Sequence, residues 1–122
     1  MSGEEAFLMP RLERALAFGG YTHDFVRDVV PLLNQRRAQC WTRGDGIIIT
    51  EILQFPQNKA VNFWLVAGRL DDCVALEPEI CRWARLQGCS RSIGIGRKGW
   101  IPSLQRLGYR AKGIAFEKAL TQ

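Results

Sequence analysis

The sequence predicts a single α/β (α+β) domain over residues 1–122, with a mixed, mostly antiparallel sheet of about four strands flanked by helices on both faces. The length of 122 residues suits one hydrophobic core. Two apolar, β-branched runs, 47–55 and 60–67, are separated by a four-residue turn. They predict an antiparallel hairpin over 45–68. Helix and strand patterns alternate after it, over 77–120, which is typical of a sheet covered on both faces.

Helical patterns precede the hairpin, over residues 4–40. Helix formers fill residues 4–18. Thr22 is the expected N-cap of a second helix over 23–40, and Pro31 is expected to kink or split that helix.

The C-terminal half predicts a helix, a strand, a helix and a strand. Pro78 suits the first turn of the first helix, which ends before Gly88. A short glycine-rich strand follows over 92–96, and then a helix over 98–107. Residues 111–120, with alternating apolar side chains, are predicted to form the last strand.

Composition excludes several classes of protein. No stretch approaches the ~20 apolar residues of a membrane span, and the acidic N-terminus does not resemble a signal peptide. We therefore expect a cytoplasmic protein with no membrane partner. The four cysteines form no close pair and the single histidine, His23, is remote from them, so we expect reduced thiols and no metal site.

Charge is distributed unevenly along the chain. Residues 1–81 contain eight basic and eleven acidic residues, whereas 82–122 contain nine basic residues and one acidic residue, Glu117. Such asymmetry suggests an anionic partner for the C-terminal third, namely nucleic acid, a phosphate-bearing cofactor or an acidic protein. A solvated basic face explains the same composition equally well.

A glycine-rich segment lies within this basic third. Gly94, Gly96 and Gly99 match the spacing of a dinucleotide-binding loop, although the acidic residue that such a unit needs would have to be Glu117. A simpler interpretation is close packing by small residues. Arg97 and Lys98 would then form an anion-binding start to the next helix, suited to a phosphate of DNA.

Three segments in order resemble motifs of the GNAT (Gcn5-related N-acetyltransferase) superfamily. Ala-Arg-Leu-Gln-Gly at 84–88 and Arg-Leu-Gly-Tyr at 106–109 resemble two helix endings of the family, and Phe-Glu-Lys-Ala-Leu at 116–120 resembles its closing strand. The resemblance covers about residues 44–120. It implies a minimal GNAT-like fold and, in active members, acetyl-CoA bound at the start of the helix after the hairpin.

A narrower resemblance rests on the last 30 residues or so. Gly-Arg-Lys-Gly-Trp at 96–100, followed by Leu-Gly-Tyr and Glu-Lys-Ala-Leu, is similar to small GNAT-like proteins encoded by tailed bacteriophages. This implies a virion or head-assembly component, located in the host cytoplasm or the virion. Its partners would be other virion or assembly proteins, and DNA through the basic third.

The family's phosphate-binding loop is altered here. Aligned on Ala84, the loop falls on Gly68, Arg69, Asp71 and Cys73, so that an aspartate and a cysteine stand where the family has glycines. Carboxylates repel a pyrophosphate, and the aspartates at 71 and 72 are interpreted as helix N-terminal caps. We therefore expect a degenerate acetyl-CoA motif and no cofactor.

The family's catalytic landmarks are also incomplete. The tyrosine that the family uses as an acid corresponds to Leu104, and Tyr109 is expected in the core. Glu51 is the carboxylate within the hairpin strands and hence the candidate general base, unless it faces solvent or forms a salt bridge. The sequence thus favours a non-catalytic GNAT-like protein; the alternative is an active small N-acetyltransferase that uses acetyl-CoA through a divergent loop.

Overall fold

The computed structural model describes residues 25–120, within which it has four strands and three α-helices. The first elements are a π-helical turn (Phe25–Val29), helix α1 (Val30–Asn34) and strands β1 (Gln39–Arg43), β2 (Gly46–Gln54) and β3 (Lys59–Ala67). They are followed by helix α2 (Leu70–Leu86), strand β4 (Arg91–Gly94), a 3-10 turn (Lys98–Trp100) and helix α3 (Ile101–Arg106). The predicted helix over 4–18 and His23 lie outside the described residues.

The four strands form one mixed sheet in the order β1-β2-β3-β4. Strand β2 is antiparallel to both β1 and β3, and β3 is parallel to β4. Helix α1 packs on the face that carries Ile47 and Ile49, and α2 packs on the opposite face, which carries Ile48. The predicted hairpin and the predicted fold class, a mostly antiparallel sheet between helices, are confirmed.

Strand β1 lies where the sequence pattern predicts the end of a helix over 23–40. The helix ends at Asn34 instead. Arg36 adopts a left-handed conformation with φ of 58°, and the N–H of Ala38 bonds back to the carbonyl oxygen of Leu32. The chain that follows pairs with β2, because strand pairing and burial outweigh local helix propensity.

Helix α2 begins at Leu70, seven residues before the predicted start at 77, so Pro78 lies inside the helix rather than in its first turn. An internal proline costs about 3 kcal/mol because it cannot donate an N–H. Burial of one helix stripe offsets that cost, since its two large aliphatic side chains, Leu76 and Ile80, each stabilise the fold by roughly 1.5–3 kcal/mol. The buried stripe is Cys73, Leu76, Ile80 and Ala84.

The prediction of a last strand over 111–120 is wrong. These residues have no regular secondary structure, and each of them is exposed. The apolar alternation is present, but a strand is stable only beside a neighbour. The nearest candidate in sequence, β4, pairs only with β3 among the described residues.

The turn between β3 and α2 depends on Gly68. Its φ of 93° is left-handed, and a Cβ at this position would overlap the carbonyl oxygen of Asp45 in the turn between β1 and β2. A second close contact lies beside it, since a Cβ on Gly46 would be 3.1 Å from the sulfur of Cys73. The β1–β2 turn therefore presses directly against the start of α2.

The variant Gly68→Ala should lower the free energy of unfolding by about 2 kcal/mol or more, because alanine is strained at this φ and its methyl group overlaps the Asp45 carbonyl. Urea unfolding followed by circular dichroism measures the change. Gly113→Ala is the matched control, since a Cβ there meets no atom within 4 Å; its effect should stay below about 0.5 kcal/mol. Equal effects from the two variants would contradict this account.

Candidate functional site

A cleft opens where the parallel strands β3 and β4 diverge. Their pairing ends at Phe63 and Gly94, whereas β3 continues to Ala67 beside β2. Helices α2 and α3 contribute walls, including Val74 and Leu104 respectively. The cleft has a volume of about 640 Å³ with its open mouth included, and it is lined mainly by apolar side chains. An apolar lining of this kind is typical of a small-molecule site.

A β-bulge in β3 lies where this divergence begins. The register between β2 and β3 shifts between Ile49 and Thr50, and Trp64 is the extra residue. Beyond the bulge, residues 65–67 have no strand of the described chain on the side toward β4. Backbone groups along such an edge can hydrogen-bond an extended ligand.

The first turn of α2 contains the residues predicted for the phosphate loop. Arg69 is the N-cap residue, and its guanidinium lies 3.9 Å from the exposed carboxylate of Asp71. Asp72 points elsewhere, because its Oδ2 accepts a hydrogen bond of 3.0 Å from the backbone N–H of Asp45. The prediction that both aspartates cap α2 is therefore wrong: the N-cap is Arg69, and Asp72 holds the β1–β2 turn.

Cys73, aligned with a loop glycine of the family, is buried. Its thiol donates to the carbonyl oxygen of Ala67 at 3.2 Å. Burial raises the pKa of Cys73 to about 11, so the thiol is protonated at neutral pH. A cofactor-binding role for Gly68, Arg69, Asp71 and Cys73 stays a prediction, and the structure brings the four together where α2 begins.

A polar cluster of Glu77, Cys81, Ser92 and Tyr109 borders the cleft, which Glu77 and Tyr109 line. The Tyr109 hydroxyl donates to Glu77 Oε1 at 3.1 Å and hydrogen-bonds with the Ser92 hydroxyl. The Cys81 thiol donates to the same Glu77 oxygen at 2.7 Å. Burial raises the pKa of Tyr109 and that of Cys81, so both groups keep their protons at neutral pH.

The sequence predicts Tyr109 in the core, and its partners Glu77 and Ser92 are not among the predicted site residues. Tyr109 is half-buried, which is typical of a residue at the edge of the core. Its hydroxyl, however, forms hydrogen bonds with charged and polar groups. The four-residue spacing of Glu77 and Cys81 is the signal that could have found the cluster, because it places both on one helix face.

Glu51 lies outside the cleft. It accepts a hydrogen bond of 3.0 Å from the side-chain amide of Asn62 on the neighbouring strand. Its neighbour Ile52 packs on the α2 side of the sheet, so by strand alternation Glu51 faces the other side. The half-buried position and the Asn62 bond explain the residue structurally, and a role as general base stays a prediction.

Arg97 and Lys98 are exposed between β4 and α3. The guanidinium of Arg97 lies 6.0 Å from the centre of the Trp100 ring, at the outer limit of a cation–π contact. Within residues 25–120, no group of three or more His, Cys, Asp or Glu side chains is placed to hold a metal ion. No helix in the described part of the chain is both long and apolar enough to span a bilayer.

The variant Tyr109→Phe should lower the free energy of unfolding at pH 7 by about 1–2 kcal/mol, since Glu77 and Ser92 each lose a hydrogen-bond partner. The folded pKa of Tyr109 lies above its ordinary value of 10.0, so the hydroxyl stabilises the fold fully below that pH. The difference between the two proteins should therefore shrink as the pH rises above 10.0.

Urea unfolding of both proteins at neutral and alkaline pH measures this difference. Ser90→Ala, at an exposed serine just before β4, is the control and should be close to neutral. A Tyr109→Phe protein as stable as the wild type at pH 7 would show that the cluster does not stabilise the fold.

No family sequence model matches the chain, and no curated protein does. Solved structures do match. An acetyltransferase of Trypanosoma brucei is 17% identical with a TM-score of 0.69, over 95% of this chain and 94% of that one. A predicted acetyltransferase from Clostridium acetobutylicum, solved with acetyl-CoA, is 11% identical with a TM-score of 0.73, over 98% and 93%.

A transcriptional regulator from Bacillus halodurans is likewise similar, at 11% identity and a TM-score of 0.75, over 98% of this chain and 96% of that one. These identities are too low to carry an activity, but the likeness extends over nearly the whole of each chain. It shows that this chain has the GNAT-like fold.

Proposed function

We propose that this chain is a small N-acetyltransferase that binds acetyl-CoA in the cleft between β3 and β4. The observation that carries the proposal is the divergence of these two strands, which opens an apolar cleft beside the N-terminus of α2. The Clostridium acetobutylicum protein of the same fold was solved with acetyl-CoA. This proposal departs from the sequence-based expectation of a non-catalytic protein without a cofactor.

The cleft suits the acyl-pantetheine arm of acetyl-CoA. That arm is an extended chain with two amide groups and otherwise apolar segments. The β3 edge over 65–67 offers backbone partners to the amides, and Val66, Ile93 and Leu104 offer apolar contacts. Bound acetyl-CoA would supply an acetyl group already activated as a thioester.

The phosphate end of the cofactor would meet both attraction and repulsion. Helix α2, which is 17 residues long, and Arg69 both favour an anion. Asp71 and Asp72 both lie in the first turn of α2, and the hydrogen bond that Asp72 accepts from the neutral backbone N–H of Asp45 does not remove the charge of its carboxylate. The side chain of Asp71 is 91% exposed. At ~5 Å its repulsion of a phosphate is therefore on the order of 1 kcal/mol, the value for a water-like dielectric, rather than the ~3 kcal/mol of a protein-like one.

Tyr109 is the proton-bearing hydroxyl in the wall of the cleft. Its pKa is raised by burial, so it is protonated at neutral pH, and Glu77 orients it through the 3.1 Å hydrogen bond. We assign to Tyr109 the task of holding a proton at the end of the cleft where the sulfur of the cofactor would lie. Leu104 cannot perform this task because its side chain has no hydroxyl group. The amine substrate would approach from the mouth of the cleft.

Isothermal titration calorimetry with acetyl-CoA should give a dissociation constant in the micromolar range. Leu104→Trp, which fills the cleft, should weaken binding by about tenfold or more. Leu86→Trp is the control, because Leu86 is 81% exposed and lies outside the cleft. Release of free thiol on adding candidate amines then reports acetyl transfer. If the wild type produced neither heat nor a thermal shift with millimolar acetyl-CoA, the proposal would be overturned.

A second candidate is a non-catalytic virion or head-assembly protein of a tailed bacteriophage. Leu104 at the place of the family's tyrosine and the buried Cys73 support it, as does the basic, exposed segment over 111–120. Its partners would be other virion or assembly proteins, or DNA that contacts Arg97 and Lys98.

Under the second candidate, gel-shift assays should detect weak DNA binding that falls steeply between low and moderate salt, because released counterions drive it. Replacing Arg97 and Lys98 together by serine should weaken binding and reduce the salt dependence by about two phosphate contacts. Glu79→Gln, at an exposed position on α2, is the control and should change neither. Binding that does not respond to salt would contradict the DNA contact.

A further inference from the structure

The segment over 111–120 concentrates exposed apolar surface. Six large hydrophobic side chains are exposed in the described chain, and three of them fall within these ten residues. They are Ile114, Phe116 and Leu120, which are 80%, 93% and 91% exposed. Because alternate residues of an extended chain share a face, all three would point the same way if the segment were a strand. Exposed apolar surface of this kind marks an interaction site.

The sheet ends in a strand with an open edge. Strand β4 is last in the strand order and pairs on one side, with β3, among the described residues. Its outer edge presents backbone N–H and carbonyl groups in the arrangement that accepts another strand. Ile95, directly after β4, is 75% exposed, so apolar surface continues along this edge.

We propose that two copies of this chain form a dimer in which the 111–120 segment of each copy adds, antiparallel, to the β4 edge of the other. Among residues 25–120, each copy has a strand-like segment that pairs with no strand and, at β4, an outer sheet edge that pairs with none. A two-fold arrangement satisfies both at once. The segment leaves its own edge uncovered in this structure, so a second copy is the occupant that the chain itself supplies.

Charge complementarity determines which residues of the segment lie opposite those of β4. Strand β4 has one charged residue, Arg91, and residues 82–122 have one acidic residue, Glu117. Opposite charges directly across an antiparallel pair stabilise it, so Glu117 lies opposite Arg91. The same register places the large Phe116 opposite Ser92.

Apolar side chains add buried area to the backbone pairing. In this register Ile114 lies opposite Gly94 and Phe116 opposite Ser92, and a large aromatic side chain such as Phe buries roughly 150 Å² or more. A specific interface buries ~1,200–2,000 Å² in total, so the paired backbone of the two segments contributes most of the area. The dimer does not depend on acetyl-CoA binding.

Light scattering coupled to size-exclusion chromatography under reducing conditions tests the proposal. The full chain should have twice the monomer mass of 13.8 kDa. Phe116→Asp, Glu117→Arg and Arg91→Glu should each weaken the dimer by about tenfold or more, and the double variant Arg91→Glu/Glu117→Arg should restore it. Phe55→Asp is the control. Phe55 is an exposed apolar residue in the turn between β2 and β3, outside both the 111–120 segment and β4, so its replacement should leave the dimer intact.

Three outcomes would overturn the proposal. The first is a wild type that stays monomeric across about a hundredfold range of concentration. The second is a monomer whose 111–120 amides are protected from hydrogen exchange, because the segment would then pair with its own β4. The third is a dimer unaffected by the Phe116 and Glu117 variants. Calorimetry with acetyl-CoA on the Phe116→Asp protein separates this result from the proposed function.

Discussion

The contact between the β1–β2 turn and the start of α2 determines the geometry of the rest of the molecule. Gly68 turns the chain from β3 into α2 at a position where the carbonyl oxygen of Asp45 leaves no room for a Cβ. The carboxylate of Asp72 accepts a hydrogen bond from the backbone N–H of Asp45 in the same turn. The axis of α2 is thereby fixed relative to the sheet. Because α2 forms one wall of the cleft, and its first-turn residues Leu70 and Cys73 line it, this contact sets the shape of the candidate site.

This contact also explains the unusual chemistry of the first helical turn. Asp72 and Cys73 serve the packing of the turn, through a hydrogen bond and through burial. Arg69 and Asp71 remain at the surface. The altered loop therefore combines two packing residues with two exposed ones. Of its two carboxylates, Asp72 is turned toward the β1–β2 turn and Asp71 is surrounded by solvent.

The sequence predicted those features that depend on local periodicity. The hairpin, the mixed sheet and the two-sided helical cover follow from apolar runs and their turns. Strand β1 did not, because Arg36 ends the helix through a left-handed backbone that residue type does not reveal. Pro78 made the predicted start of α2 too late, because burial of the helix stripe outweighs the cost of a proline inside the helix. Of the candidate site, Tyr109 and its partner Glu77 come together only through tertiary packing, 32 residues apart in the chain.

Tyr109 separates the chain into two parts with different requirements. Its hydroxyl is fastened to α2 through Glu77 and to β4 through Ser92, and one residue later the exposed segment begins. Tyr109 also lines the cleft, so these hydrogen bonds fix the point at which the exposed segment leaves it. Substitutions after Arg110 would leave these hydrogen bonds in place, and would change the exposed surface of the segment without changing the residues that line the cleft.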